Sequence, residues 1–367
     1  MLNMVIVGTA HMHSNEIALY IHRHPGAKLC GVSDLVPAAP ENTDARYTRA
    51  WNLKNIEESC GARVFSDYRA MLDEVRPDLT FILCENDRKT EAAMECIRRG
   101  LAFSLEKPMA MTYEEAGAIA GAAREAGVTA LVNWPVIWRP YVNRFMKAVE
   151  ARLCGNPLKL EYSNGHTGPL GKGARHRGVT AQAEEMDDAT RARTWWYQEA
   201  RGGGVFLDMM CYGSLYARWI LGDGWKKVTA MGMNLATPCS DCADNAAAIV
   251  EYPDKLAVLG GTWTTPNRFM ASGPAVICEG GVIWCAKEAD GTPTVRAMDI
   301  YGNDVPVPEY EQDEALTDMV CNYVSHVEKG TPIHTPAQLS MNLQVMFLLD
   351  ACIRSAREGR QVEAGKA

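Results

Sequence analysis

The chain has 367 residues, 47% of them hydrophobic, and a formal net charge of −8. A chain of this length has room for two globular domains. Its negative charge repels phosphate groups and anionic lipid surfaces, so we expect a small-molecule partner, no nucleic acid and no membrane.

The first 133 residues predict a doubly wound α/β domain built on a parallel sheet. Strand-length apolar runs alternate there with helical stretches, two of which end at Gly100 and Gly127. The apolar runs are residues 4–7, 28–32, 79–83, 101–105 and 128–132. Sheets of this kind bind ligands beyond the carboxyl ends of their strands.

Residues 134–367 predict a second domain of the α+β class. One helix is followed by a long polar, glycine-rich loop over about residues 164–193. Between residues 228 and 310 apolar and polar residues alternate with turn signals between them, which predicts an antiparallel sheet of several strands. Two helical stretches end the chain.

The loop after the first apolar run, residues 8–16, lies where a dinucleotide-binding fold has its phosphate-binding turn. Gly8 fits the three-glycine pattern of that turn, but Ala10 and His13 occupy the other two glycine positions. An ordinary strand–helix turn is therefore an equally good interpretation. Asp34 follows the second run, where a carboxylate binds an adenosine ribose and repels a ribose phosphate, which favours NAD over NADP.

Two further segments carry side chains suited to alcohol chemistry. Lys107 lies in the triplet Glu106-Lys107-Pro108 after the fourth apolar run, and the proline restricts the lysine to extended geometry. Asp208 and Tyr212 follow three glycines at 202–204 and are four residues apart, so a helix places both on one face. Taken singly, they fit a surface ion pair, a helix cap and a packed aromatic ring; together they are suited to hold and deprotonate an alcohol.

In these motifs the chain resembles the Gfo/Idh/MocA family, named after glucose-fructose oxidoreductase, inositol dehydrogenase and a rhizopine-catabolism protein. The resemblance spans nearly the whole chain and rests on Asp34, Asn86, Glu106-Lys107-Pro108, Asn133, the Trp195-Trp196 pair before the three glycines, Asp208 and the closing residues 350–363. It implies an N-terminal Rossmann domain, a C-terminal α+β domain with an open, largely antiparallel sheet, and a nicotinamide cofactor. It also implies oxidation or reduction at one carbon of a sugar, cyclitol or related polyol.

Three departures from the family pattern stand out. The glycine fingerprint is degraded at Ala10 and His13. The proline before and the histidine after Asn86 that are usual in the family are missing. Tyr212 replaces the more common histidine four residues after the aspartate, as in the glucose-fructose oxidoreductase and dihydrodiol dehydrogenase branches.

The predicted catalytic residues are Lys107, Asp208 and Tyr212. We expect the Lys107 ammonium to stabilise a Tyr212 phenolate and bring its pKa towards neutral, while Asp208 orients substrate hydroxyls. The predicted cofactor contacts are Gly8, Ala10, His11, His13, Asp34, Asn86, Glu106, Lys107 and Asn133. The predicted substrate contacts are Lys107, His166, Trp195, Asp208 and Tyr212, although Trp195 fits a buried core position equally well.

The cysteines and histidines predict no metal site. Twelve cysteines occur mostly singly and often within apolar runs, which indicates reduced thiols and, with no targeting segment apparent at the N-terminus, a cytoplasmic protein. Cys239 and Cys242 form a single Cys-x-x-Cys without a second pair. His11 and His13 lie in the cofactor turn, where hydrogen bonding or packing is favoured over metal ligation.

The expected function is that of an NAD-dependent oxidoreductase acting on a secondary alcohol of a sugar, glycoside or cyclitol. One alternative is a glycoside-cleaving enzyme that uses transient oxidation and elimination, for which Glu184, Glu185, Asp187 and Asp188 are candidate acids. Another is a non-catalytic dinucleotide sensor, which would not need the residues on the substrate side. Because one face of the C-terminal sheet is exposed unless covered, we expect a homodimer or homotetramer through that sheet.

Overall fold

A computed structural model of the chain describes residues 1–37, 45–171, 179, 182–266 and 273–366. Among the described residues, no helix is both long enough and apolar enough to cross a bilayer. The chain folds around two sheets, one in each half.

The N-terminal sheet has six strands, and all neighbouring pairs are parallel. The strands are β1 (Leu2–Val7), β2 (Ala27–Ser33), β3 (Val64–Phe65), β4 (Leu79–Ile82), β5 (Phe103–Glu106) and β6 (Ala130–Asn133). Their order in the sheet is β3-β2-β1-β4-β5-β6. The helices between them are α1 (His13–Arg23), α2 (Arg49–Cys60), α3 (Tyr68–Val75), α4 (Lys89–Arg98) and α5 (Tyr113–Glu125). This is the predicted doubly wound Rossmann arrangement.

The central strands of this sheet are buried at nearly every position because helices cover both faces. Helix α5 begins where the Thr112 side chain accepts a hydrogen bond from the Glu115 amide, and α3 begins where Asp67 accepts one from Arg69. The carboxyl ends of the strands share one edge. That edge carries the segments predicted to bind cofactor and substrate.

The C-terminal sheet has eight strands, and among the described strands only β7 and β10 pair in parallel. The strands are β7 (Pro157–Gly165), β8 (Lys227–Met233), β9 (Asn245–Glu251), β10 (Leu256–Thr262), β11 (Gly273–Cys278), β12 (Gly281–Lys287), β13 (Pro293–Asp299) and β14 (Val362–Glu363). The sheet is therefore mixed and largely antiparallel, as predicted. Strand β7, which the sequence pattern did not predict, lies near its centre between β11 and β10.

Among the described residues the C-terminal half contains five α-helices, of which the first, third and fifth pack on one face of its sheet. They are α6 (Pro140–Glu150), α7 (Asp188–Ala192), α8 (Cys211–Leu221), α9 (Met319–Lys329) and α10 (Leu339–Glu358). Helix α8 packs on β7 and β10, and α10 packs on β8. The other face carries exposed Met231, Ile249 and Ile277.

The last two long helices also contact the N-terminal half. The Tyr323 hydroxyl on α9 donates to the Asp78 carbonyl at 2.7 Å, and the Tyr113 amide at the start of α5 donates to Asp350 on α10 at 3.3 Å. Helix α10 packs against α5 as well. A domain boundary between residues 133 and 134 stays a prediction, since these contacts cross it.

Candidate active site

Lys107 and Asp208 meet where the two halves of the chain join. Lys107 follows β5, and its Nζ lies 3.1 Å from Asp208 Oδ1 and donates to the Asp208 backbone carbonyl at 2.8 Å. Both side chains are buried. Although burial disfavours the ammonium, Tyr212 and Asp208 around it raise the pKa of Lys107 well above its usual value. The lysine is therefore a fixed positive charge.

A π-helical turn, Phe206–Met210, carries Asp208 where the sequence predicted an ordinary α-helix. In a π-helix the backbone bonds run from residue i to i+5, which widens the turn and is frequent at functional sites. The Asp208 carbonyl accepts a hydrogen bond from Lys107 and another from the Cys211 thiol, whose sulfur lies 3.3 Å away. The widened turn also changes how Asp208 and Tyr212 are placed relative to one another.

Two side chains from the C-terminal sheet bind the other oxygen of Asp208. His166 Nε2 lies 3.2 Å from Oδ2, and the Trp263 indole donates to the same oxygen at 2.9 Å. Parallel pairing aligns Gly165, the last residue of β7, with Thr262, the last residue of β10. His166 and Trp263, which follow them, therefore both lie close to Asp208. Burial opposes ionisation of Asp208, but Lys107 and His166 outweigh it and hold its pKa far below its usual range.

Tyr212 contacts Lys107 through its ring and not through its hydroxyl. Lys107 Nζ lies over the ring, 4.8 Å from its centroid, and Trp134 meets the ring edge-on at 5.4 Å. Burial raises the pKa of Tyr212 above its usual value and outweighs the Lys107 charge, which acts in the opposite direction. The sequence analysis expected this pKa to fall; the structure gives the opposite direction because desolvation of a phenolate is the larger effect.

The three consecutive glycines before Asp208 each face a different neighbour. A Cβ on Gly202 would lie 2.5 Å from the Cβ of Asn86, one on Gly203 would lie 2.3 Å from the Trp196 carbonyl oxygen, and one on Gly204 would lie 2.9 Å from the Cβ of Cys242. Asn86 also donates to the Gly202 carbonyl at 2.7 Å. The glycine turn therefore packs closely against residues of both halves of the chain, and the Asn86 hydrogen bond holds it in place.

Lys89 holds the loop that carries Lys107, a role that the sequence analysis missed. Its fully buried ammonium donates to three consecutive carbonyls, those of Glu106, Lys107 and Pro108, at 2.7, 3.2 and 2.8 Å. Burial lowers the pKa of Lys89 to about 8. A lysine three residues after Asn86 was the only signal for it in the sequence.

The edge predicted to bind the adenosine half of the cofactor is formed by Gly8 and Asp34. Gly8 has φ +86°, and a Cβ there would lie 2.6 Å from the Cys84 amide nitrogen, so only glycine fits this turn. Asp34 follows β2 and accepts from the Leu35 amide at 2.9 Å. A glycine turn, the N-terminus of α1 and a carboxylate at this edge fit the pyrophosphate and ribose of NAD.

Arg49 is an unpredicted member of this edge. It comes from α2, its Nη1 lies 2.5 Å from Asp34 Oδ2, and it also contacts Glu85. The residues beside Asp34 in the sequence include no arginine. The structure brings an arginine there from 15 residues further along the chain.

His11, His13, Glu106 and Asn133 form a buried group between the first loop and the end of β5. His13 Nδ1 lies 3.1 Å from Glu106 Oε1, and Asn133 donates to Glu106 at 3.4 Å. Burial opposes protonation of His13, but Glu106 outweighs it and raises the pKa of His13. The potential metal-ligand atoms of His11, His13 and Glu106 lie within 4.8 Å of one another. Cofactor contacts by this group, and the lack of a metal, stay predictions.

Trp195 lies against the first loop. Its indole donates to the Ala10 carbonyl at 3.2 Å, and its ring stacks on Trp196 with centroids 3.8 Å apart. Both rings are buried, and Trp196 also contacts the His11 ring. Trp195 therefore supports the cofactor turn, and its contact with substrate stays a prediction.

Family models match both halves of the chain. The model of an oxidoreductase family with an NAD-binding Rossmann fold, GFO/IDH/MocA, matches residues 2–134, and that of the GFO/IDH/MocA C-terminal domain matches residues 166–283. The first match confirms the prediction of NAD as the cofactor and of a Rossmann fold.

Individual relatives are distant. Uncharacterized oxidoreductase YrbE of Bacillus subtilis (strain 168) is 25% identical over 218 residues, which are 59% of this chain and 53% of that protein. The aldose-aldose oxidoreductase from Caulobacter crescentus, complexed with glycerol, has a TM-score of 0.75 at 17% identity over 99% of both chains. The WlbA dehydrogenase from Bordetella pertussis, in complex with NADH and UDP-GlcNAcA, has a TM-score of 0.74 at 20% identity over 99% of this chain and 98% of its own. At these low sequence identities, the similarity to the two solved structures shows that this chain shares their fold.

Proposed function

Because this chain belongs to the GFO/IDH/MocA oxidoreductase family, we propose that it is an NAD-dependent dehydrogenase for a secondary alcohol of a sugar, glycoside or cyclitol. Among similar structures, one is an aldose-aldose oxidoreductase and another contains UDP-GlcNAcA, which supports a substrate of this class.

The observation that carries the proposal is the buried contact between Lys107 and Asp208 at the carboxyl edge of the Rossmann sheet. A buried ammonium at this place binds the oxygen of the carbon that is oxidised and stabilises the negative charge that develops on it. Asp208 keeps the ammonium charged and in place. A protein that only sensed dinucleotide would not need this pair.

Different side chains around this pair are proposed to bind the cofactor and the substrate. NAD, when bound, supplies the hydride acceptor. Gly8 and Asp34 are proposed to hold its pyrophosphate and adenosine ribose, and Glu106 with His13 its nicotinamide ribose. Lys107, Asp208 and Tyr212 are proposed to surround the reacting carbon, with Tyr212 supporting the lysine through its ring.

Redox-assisted glycoside cleavage is the second candidate, and the acidic residues suggested for it have other partners. Asp187 caps α7, Asp188 pairs with Arg191, and Glu184 pairs with Arg46. A cleaving enzyme needs an acid for the leaving group beside the oxidised carbon. These contacts favour net oxidation.

A panel of sugars, alkyl and aryl glycosides and inositols, each incubated with excess NAD, tests the proposal. We expect NADH and a ketone product to accumulate in equal amounts with at least one compound. Release of an aglycone without a rise in NADH absorbance would establish cleavage instead. Tight binding of NAD with neither product from any compound would favour a sensor.

A further inference from the structure

The proton that leaves the substrate hydroxyl needs an acceptor, and identifying it rests on the dehydrogenase function proposed above. During oxidation the C–H bond breaks and its electron pair leaves with the hydride to NAD. The O–H bond also breaks, its electron pair forms the carbonyl bond, and the proton passes to a base. Lys107 is already protonated, and the lowered pKa of Asp208 makes its carboxylate a weak base. The candidates are Tyr212 and His166.

The surroundings of Tyr212 disfavour it as the base. Its side chain is buried, and Lys107 lies over the ring face and not beside the oxygen. Within the part of the chain that the structure describes, the Tyr212 hydroxyl makes no hydrogen bond to Lys107, Asp208 or His166. A phenolate there would be desolvated without a donor to its oxygen, so the neutral phenol is favoured.

The surroundings of His166 favour it as the base. Its Nε2 contacts the Asp208 carboxylate, which fixes the ring and stabilises the imidazolium that proton uptake creates. The side chain is 26% exposed, whereas Lys107 and Asp208 are almost fully buried, so the imidazolium can release its proton to water.

We propose that His166 accepts the substrate proton at Nδ1 while its Nε2 remains bonded to Asp208, and that Tyr212 stays a neutral phenol supporting Lys107. The acid–base group thus comes from the end of β7, whereas the sequence pattern placed it on the helix after Asp208. Among the described residues, the charged groups at His166 are Asp208, in direct contact through Oδ2, and Lys107, which contacts Oδ1 of the same carboxylate.

His166→Gln tests the proposal because glutamine can still donate to Asp208 but cannot take up a proton. With a substrate that yields NADH, we expect kcat to fall about 100-fold or more with KM within a few-fold, the loss typical of an acid–base group. Added imidazole should restore activity to His166→Ala. Tyr212→Phe should keep more than a tenth of kcat.

Calorimetric binding of NAD checks that each variant is folded, and His22→Ala, at an exposed histidine on α1, serves as the matched control. The proposal is overturned if His166→Gln keeps more than a tenth of kcat, or if added imidazole fails to restore activity to His166→Ala. It is also overturned if Tyr212→Phe alone abolishes turnover. A wild-type protein that forms no NADH from any compound would refute the dehydrogenase function itself, and this assignment with it.

Discussion

Replacing Gly203 with alanine tests whether the glycine turn positions Asp208. The new Cβ would lie 2.3 Å from the Trp196 carbonyl oxygen and 2.7 Å from that of Trp195, and backbone atoms cannot rotate away. Overpacking of a closed site costs about 1–3 kcal/mol, and a backbone neighbour places this case near the upper end. We expect Tm to fall by about 5 °C. Because Asp208 follows five residues later, a shift of about 1 Å should also lower kcat about 100-fold.

The matched control is Gly121→Ala within α5. A Cβ added there meets no atom within 4 Å, and alanine is favoured over glycine in a helix interior by about 1 kcal/mol. Thermal unfolding followed by circular dichroism, with NADH formation on the same samples, measures both effects. If Gly203→Ala unfolds at the temperature of Gly121→Ala and is equally active, the turn does not position Asp208 and the reasoning is wrong.

Four further results are expected. Lys89→Met leaves the carbonyls of Glu106, Lys107 and Pro108 without their donor, so Tm should fall and kcat should drop at least about tenfold; an unchanged kcat contradicts this. Wild type should bind NAD more tightly than NADP, and Asp34→Ser should gain affinity for NADP in calorimetry because the carboxylate that repels a ribose phosphate is removed and Arg49 loses one of its carboxylate partners. Burial lowers the pKa of His334 to about 4, below the value of about 6.5 that it has when unfolded, so stability to urea should decrease as the pH falls from about 6.5 towards 4, and His334→Gln should weaken that decrease. Met231→Glu on the open sheet face should shift a dimer towards monomer in light scattering, and a monomeric wild type at micromolar concentration would exclude this interface.

The sequence predicted the regular parts of the fold because apolar periodicity reports burial. It predicted both sheets, the closing helices and the position of Lys107 after a strand. It missed β7, whose residues 157–165 mix polar and apolar positions, and so it left His166 in a loop. It also missed Trp263, because only the parallel pairing of β7 with β10 brings the two strand ends together.

The details of the site depend on contacts between residues far apart in the chain. Asp208 and Lys107 are 101 residues apart, and Arg49 contacts Asp34 from the start of α2. The widened π turn has no sequence pattern that periodicity detects, since it differs from an α-helix by one residue per hydrogen bond. The direction of the Tyr212 pKa depends on burial, which a motif does not report.

The attachment of α9 and α10 to the N-terminal half limits how this protein can be recombined. Tyr323 donates to the Asp78 carbonyl, Asp350 accepts from the Tyr113 amide, and Leu131 of β6 forms a bridge with Gln338. A chimera that joined residues 1–133 to a foreign substrate domain would lose all three contacts and expose the apolar side of α5. A chimera that keeps the nucleotide-binding domain of this protein should therefore also keep its helices α9 and α10. The segment to be exchanged then consists of two parts that are separate in the sequence.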